Sequence, residues 1–193
     1  MPAGTQRGLA PVKFLIDAAA SRFTVQAFAT GLLSAFGHNP TIGIRDCDGE
    51  VQFASDGYQD AQVRVTVRTT GMEVLDEMKK DDRKKLEQEM NEKVLEVGRF
   101  PTAVFESKQI AVDKLGDSLV HARVTGELSF HGVTRTHALE ARVTNLESIL
   151  RISGDFSLRQ SDYGIKPTSF AAGALRLKDE VKFNFELLAR KQE

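Results

Sequence analysis

The sequence predicts an all-β protein: one antiparallel β-barrel of about eight strands, with a single helical insertion around residues 71–97. Three observations lead there. Apolar and polar residues alternate with period two through most of the 193 residues, as half-buried strands require. The connections between those runs are mostly of hairpin length, which argues for antiparallel neighbours. One stretch, rich in Glu, Lys, Leu and Met, breaks the alternation. Closure into a barrel removes the unpaired edges that an open sheet of this size would leave.

Val12 to Asp17 and Arg22 to Ala29 read as two short strands, separated by the small residues Ala18-Ala19-Ala20-Ser21. Thr41 to Arg45 and Glu50 to Ala54 read as another pair, with Asp48-Gly49 as the hairpin turn between them. Ala61 to Thr69 is the clearest half-buried strand: Val63, Val65 and Val67 share one face, and Arg64, Thr66 and Arg68 the other. Thr70-Gly71-Met72-Glu73 has capping-box spacing and is expected to open the helix. Leu86, Met90 and Val94 then recur every four residues, a narrow stripe suited to the outside of a sheet. Gly98 is expected to end the helix, and Pro101 to extend Phe100.

Strand patterns resume at Thr102 to Val112, Ser118 to Phe130, Thr134 to Thr144 and Leu150 to Arg159. Lys114 to Asp117 and His131-Gly132-Val133 are the expected turns between the first three. Arg159 to Glu180 reads as a long irregular connection, and Val181 to Leu188 closes the chain as a strand. Neither a repeat nor a low-complexity linker divides the chain. The expected organisation is a flexible N-terminal segment over 1–10 and a single barrel domain over 11–190.

Composition narrows the function classes. The 26 basic and 27 acidic side chains leave a net charge of −1, so nothing favours nucleic acid, whose binding needs a concentrated basic surface. Cys47 is the single cysteine, which excludes an intramolecular disulfide. No run of about 18 apolar residues is present to span a membrane. The first ten residues lack a signal-peptide core, and the expected compartment is the cytoplasm.

An eight-stranded barrel is just wide enough to be packed solid or to hold one small ligand. The inward set is expected to be Phe23, Val25, Phe53, Val65, Phe105, Leu128, Phe130, Ile152, Phe156, Phe183 and Phe185. Such alternation is also what a filled core would show.

Several segments resemble the YceI-like family of polyisoprenoid-binding proteins, whose fold is a lipocalin-like barrel. FLIDAAASRFTVQ over Phe14 to Gln26 resembles the family's opening strand. GLLSAFGHNPTIGIRDCDGEV over Gly31 to Val51 carries a Gly-His pair before the third strand. Asp82 to Ser107 resembles the family's helix followed by a Pro-x-x-x-Phe-x-Ser strand. Gly126 to Val143 resembles its Gly-x-Leu-x-x-x-Gly-Val-Thr hairpin, and FSLRQSDYGI fits near the end. The resemblance implies an apolar tunnel for a long-chain amphiphile such as a polyisoprenoid, a polyprenyl quinone or a fatty-acid-like molecule.

For the polar end of such a ligand the candidate residues are His38 at a barrel rim, Arg22, Arg83 on the helix, and Tyr163. The loop from Asp162 to Leu177 is long enough to act as a lid, with Phe170 as a plug at the mouth. His121, His131 and His137 match no compact metal motif, and no metal site or cofactor is expected. Neither a phosphate loop nor a nucleophile elbow is present, so no catalytic residue is assigned and the chain is read as a non-enzyme. Two functions remain. One is binding and carriage of a hydrophobic small molecule. The other is a filled barrel acting as a protein-interaction or homodimerisation module, with Leu86, Met90 and Val94 as the contact.

Overall fold

The computed structural model describes residues 11–30, 39–55, 57–58, 60–166, 169–170 and 175–193. Twelve strands follow in chain order. The first six are β1 (Pro11–Ile16), β2 (Arg22–Thr30), β3 (Thr41–Ile44), β4 (Cys47–Ala54), β5 (Gln62–Arg68) and β6 (Met72–Val74). A helix, α1 (Lys80–Glu89), and a π-helical turn (Met90–Val94) come next. The chain then runs through β7 (Thr102–Lys114), β8 (Leu119–Phe130), β9 (Val133–Asn145), β10 (Ile149–Arg159), β11 (Ser169–Phe170) and β12 (Leu175–Lys191).

Eight of these strands close a ring in the order β1-β4-β5-β7-β8-β9-β10-β12, with β12 returning to β1. All the pairings are antiparallel. Closure turns on one edge of β12, which β1 and β2 share in succession. Ile16 stands opposite Ala189, and Arg22 opposite Glu186. Between them the chain makes a turn of 3-10 helix, Ala18–Ala20, capped by the Asp17 carboxylate. This jog satisfies the strand it skips: Asp17 N–H donates to the Leu188 carbonyl at 2.8 Å, and Leu188 N–H donates to Ser21 Oγ at 3.0 Å.

Beyond the jog, β2 leaves the ring and carries a second ribbon, β2-β3-β6, at the upper end. The α1 helix lies beside β6, where the Glu87 carboxylate accepts the Val74 N–H at 2.9 Å. At the lower end Phe14 stacks on Phe53 at 5.6 Å, and Tyr58 packs on Phe53 at 5.0 Å.

Period-two alternation explains the faces. Val63, Val65 and Val67 of β5 point inward, while Arg64 pairs outward with Glu106 at 2.6 Å and Arg68 with Asp46 and Asp48. The β8–β9 turn is a two-residue hairpin with positive φ at both His131 (49°) and Gly132 (76°), the handedness that matches strand twist.

The structure corrects four expectations. The insertion is not helical from residue 71: Thr69–Gly71 is a 3-10 turn, Met72–Val74 pairs with β3, and α1 begins at Lys80. Glu73 is therefore no helix cap; its carboxylate accepts from Arg45 Nε at 2.5 Å. Strand pairing that points Met72 and Val74 into the interior outweighs a local cap worth about 1 kcal/mol. Asp48-Gly49 is not a turn but lies inside β4. Gly49 serves close approach instead, because a β-carbon there would stand 2.6 Å from the Arg64 carbonyl oxygen and 2.8 Å from Ile16 Cδ1.

The third correction concerns the connection after Arg159. It holds a 3-10 turn, Gln160–Tyr163, and β12 already begins at Leu175. Lys178-Asp179-Glu180, which interrupts the apolar alternation, falls where the β2–β12 register shifts between Leu177 and Val181. Finally, Leu86, Met90 and Val94 do not face outward. They line an internal chamber.

Ser21→Ala leaves the Leu188 N–H without its acceptor. The expected cost is about 1–3 kcal/mol, read as a lowered urea midpoint with an unchanged slope; an unchanged midpoint would show that the jog does not support closure.

Candidate ligand cavity

The inward side chains leave space between them. A chamber of about 190 Å³ lies within the ring, and a second of about 370 Å³ lies under α1, between it and the β2-β3-β6 ribbon. The two meet at a waist formed by Met72, Phe130, Leu158 and Phe183, which line both.

Of the eleven apolar residues expected inside, ten line the barrel chamber: Phe23, Phe53, Val65, Phe105, Leu128, Phe130, Ile152, Phe156, Phe183 and Phe185. Val25 lines the upper chamber. Phe156 and Phe183 stack at 4.6 Å, and Phe23 sits against both Phe183 and Phe185. Two glycines make room for this packing. A β-carbon at Gly126 would meet the Phe105 ring at 2.5 Å, and one at Gly154 the Phe185 ring at 2.6 Å. The upper chamber is walled by Leu86, Met90, Val94 and Leu95 from the helical segment and by Ile42 and Val74 from the ribbon. That these residues face inward follows from an amphipathic segment with no other apolar surface to cover.

Polar groups are few and unevenly placed. The upper chamber holds Asp76, Glu77 and Gln160. Asp76 accepts the Thr41 N–H at 2.7 Å, and Gln160 donates to the Lys178 carbonyl at 3.1 Å. Among the described residues of the barrel chamber, Tyr58 and His137 are the two that bear hydrogen-bonding side-chain atoms. The Tyr58 hydroxyl accepts from Asn145 at 3.3 Å.

The predicted head-group residues are scattered. Arg83 lines neither chamber; it donates at 2.8 Å to the carbonyl of Asp76, a residue of the upper wall, and keeps its Nε buried without a partner among the described residues. Arg22 is exposed on the outer face of β2, beside inward-facing Phe23. Tyr163 is fully buried among Phe130, Leu158 and Val181, and its hydroxyl has no partner among the described residues. Burial pushes its pKa up to about 12. His38 and the side chain of Phe170 lie outside the described residues, as does much of the proposed lid.

The histidines separate. His121 pairs with Glu140 at 3.3 Å. The His131 Nδ1 bonds to the Tyr163 carbonyl at 3.0 Å, and its Nε2 stands 3.1 Å from Glu96, close but not aligned as a hydrogen bond. Among the described residues no cluster of three His, Cys, Asp or Glu gathers to hold a metal. Burial, reinforced by Asp48 and Asp46, pushes the Cys47 thiol up and makes it a poor nucleophile.

His137 is the residue that sequence reasoning passed over. It shares a face with Leu139, Ala141 and Val143 of β9, so the period-two pattern already points it inward. Its ring lies nearly parallel to Tyr163 at 6.0 Å and edge-on to Phe156 at 6.3 Å. Burial lowers its pKa below the ordinary histidine value, with Asp162 opposing.

A YceI-like domain matches residues 14–189. The chain belongs to the YceI-like family. Its fold is shared by BcnA of Burkholderia cenocepacia, with a TM-score of 0.70 and 16% identity over 90% of this chain and 98% of that one. A polyisoprenoid binding domain from Saccharophagus degradans follows, with a TM-score of 0.67 and 15% identity over 95% and 99%. The YceI protein of Campylobacter jejuni gives 0.63 and 15% over 81% and 88%. At these identities the likeness is one of fold. No curated protein matches the chain. Among the described residues of this YceI-like chain, no helix is long and apolar enough to cross a membrane.

The buried Tyr163 hydroxyl yields a pH signature. A phenol that resists ionisation in the fold contributes stability that is intact below about pH 10 and lost as the pH rises through about 12. Tyr163→Phe, which also removes an unpaired polar group, is expected to match or exceed the parent at neutral pH. It should lose less stability than the parent between pH 10 and 12. Urea midpoints across that range check both, and equal alkaline losses would count against the buried phenol as their source.

Proposed function

We propose that this protein binds and carries a long-chain amphiphile of the polyisoprenoid or polyprenyl-quinone type, with its tail in the barrel chamber. The observation that carries the reading is the apolar-lined space itself. The lining of the barrel chamber is hydrocarbon apart from Tyr58 and His137, and it continues past the waist under α1. Burying ten methylenes gains roughly 8 kcal/mol before ordering costs, and micromolar affinity needs about that much net. A somewhat longer tail therefore suffices without any ionic contact. The Saccharophagus degradans relative is itself a polyisoprenoid binding domain, which favours the same ligand class here.

A filled interaction barrel fits less well. It calls for a packed interior and an apolar stripe left free on α1, whereas Leu86, Met90 and Val94 are spent on the chamber wall. A catalytic role finds little support either, since in the barrel chamber only His137 presents a polar side chain with no hydrogen-bond partner among the described residues.

Mass spectrometry of a solvent extract from natively purified protein is expected to show a stoichiometric prenyl or acyl compound. Ala122 is buried and lines the barrel chamber, and Ala122→Phe should fill that space and cut uptake of an added prenyl compound at least about tenfold, the loss of about two buried methylenes. An empty extract with no uptake by the parent protein would sink the carrier reading.

A further inference from the structure

Among the described residues that line the barrel chamber, one polar side chain has no hydrogen-bond partner. His137 makes ring contacts with Tyr163 and Phe156, yet among the described residues neither ring nitrogen has a hydrogen-bond or ion-pair partner. A neutral imidazole carries one donor and one acceptor, and buried polar groups are ordinarily satisfied by protein, water or ligand. Its place is equally specific. Tyr163 and Phe156, which flank it, pack in turn on Phe130 and Phe183 of the waist. A polar atom bonded to His137 therefore sits in the barrel chamber, on the side that faces the residues shared with the upper one.

The charges around the cavity decide what kind of atom that is. Among the described residues neither chamber is lined by a lysine or arginine, and the ionisable carboxylates on the upper wall are Asp76 and Glu77. Arg83, which lines neither chamber, is held to the Asp76 carbonyl. An ionised phosphate or carboxylate would lose its hydration at the waist with no counter-ion to replace it. An uncharged oxygen loses far less, and the imidazole N–H restores its hydrogen bond.

Resting on the carrier reading above, we propose that His137 anchors the polar end of an uncharged amphiphile, through an alcohol, quinone or amide oxygen, and that the cavity selects against ionised head groups. Burial keeps His137 toward its neutral form, the state able to donate without bringing a second buried charge. Tyr163 acts behind it as a positioning ring, holding the imidazole plane by near-parallel contact.

The test uses two compounds with one tail, geranylgeraniol and geranylgeranyl diphosphate. Each is measured by displacement of bound Nile red from the full chain and from His137→Leu and His137→Gln. The expected result is that the alcohol binds at least about tenfold more tightly than the diphosphate, since an unpaired buried charge costs more than one hydrogen bond. His137→Leu should lose up to about tenfold for the alcohol, the scale of one net hydrogen bond, while His137→Gln, which keeps a donor, should stay within about threefold of the parent. Should His137→Leu fail to fold, the head-group preference of the parent and the Gln variant decides the matter. Diphosphate binding as tight as the alcohol, or a Leu variant that binds the alcohol unchanged, overturns the assignment of His137 and leaves carriage standing. If Nile red binds and neither prenyl compound displaces it, the carrier reading falls as well.

Discussion

The constraint on which the rest depends is the sharing of one edge of β12 between two strands. β10 covers the opposite edge from Glu180 to Arg190, and the shared edge is divided between β2 and β1. A strand that simply stopped and restarted would strand the backbone groups of Leu188 in a partly buried wall, at the full cost of desolvation. The Asp17–Ser21 jog supplies both missing partners, and Arg190 donates to the Asp17 carboxylate at 2.8 Å. That contact, with the Ala20 N–H, holds the Asp17 carboxyl below its usual pKa. Small residues at Ala18 to Ala20 let the chain step aside without displacing the neighbouring wall.

The same jog produces the cavity. Because β1 stays in the ring while β2 leaves it, the upper wall opens into a separate ribbon, and the opening must be covered by something apolar. The helical segment does this with Leu86, Met90, Val94 and Leu95. The π-helical turn, in which Leu95 N–H reaches the Met90 carbonyl at 2.8 Å, carries both Met90 and Leu95 into the buried wall. A bulge of this kind in a helix is commonly found at functional sites. Burial without filling is costly, since apolar walls around empty space forfeit dispersion contacts. A bound tail would recover them, so in the proposed carrier the ligand would be as much a part of the energetics as the walls are.

The polar groups fit that account. Three of those on the walls are engaged by the protein: Tyr58 by Asn145, Asp76 by Thr41 and Gln160 by Lys178. His137 of the barrel chamber and the Tyr163 hydroxyl, on the ring stacked behind it, have no hydrogen-bond partner among the described residues. On the reading proposed above, that capacity would let a single oxygen fix how far a long tail enters.

The sequence by itself determined the faces. Period-two alternation in β5, β7 to β10 and β12 dictates which side chains point inward, because a strand admits no other spacing, and the eleven apolar residues expected inside do line the cavity. The same rule points His137 inward; its polarity is what hid it among apolar neighbours. Local signals failed where distant pairing competed with them. The Thr70 to Glu73 box lost to β3, the Asp48-Gly49 turn lost to close packing on β5, and the break at Lys178 to Glu180 became a register shift. Only the tertiary structure decided whether the interior is filled or open and which polar groups are left unpaired. Both depend on atoms brought together from strands far apart in the chain, whose separations no local pattern encodes.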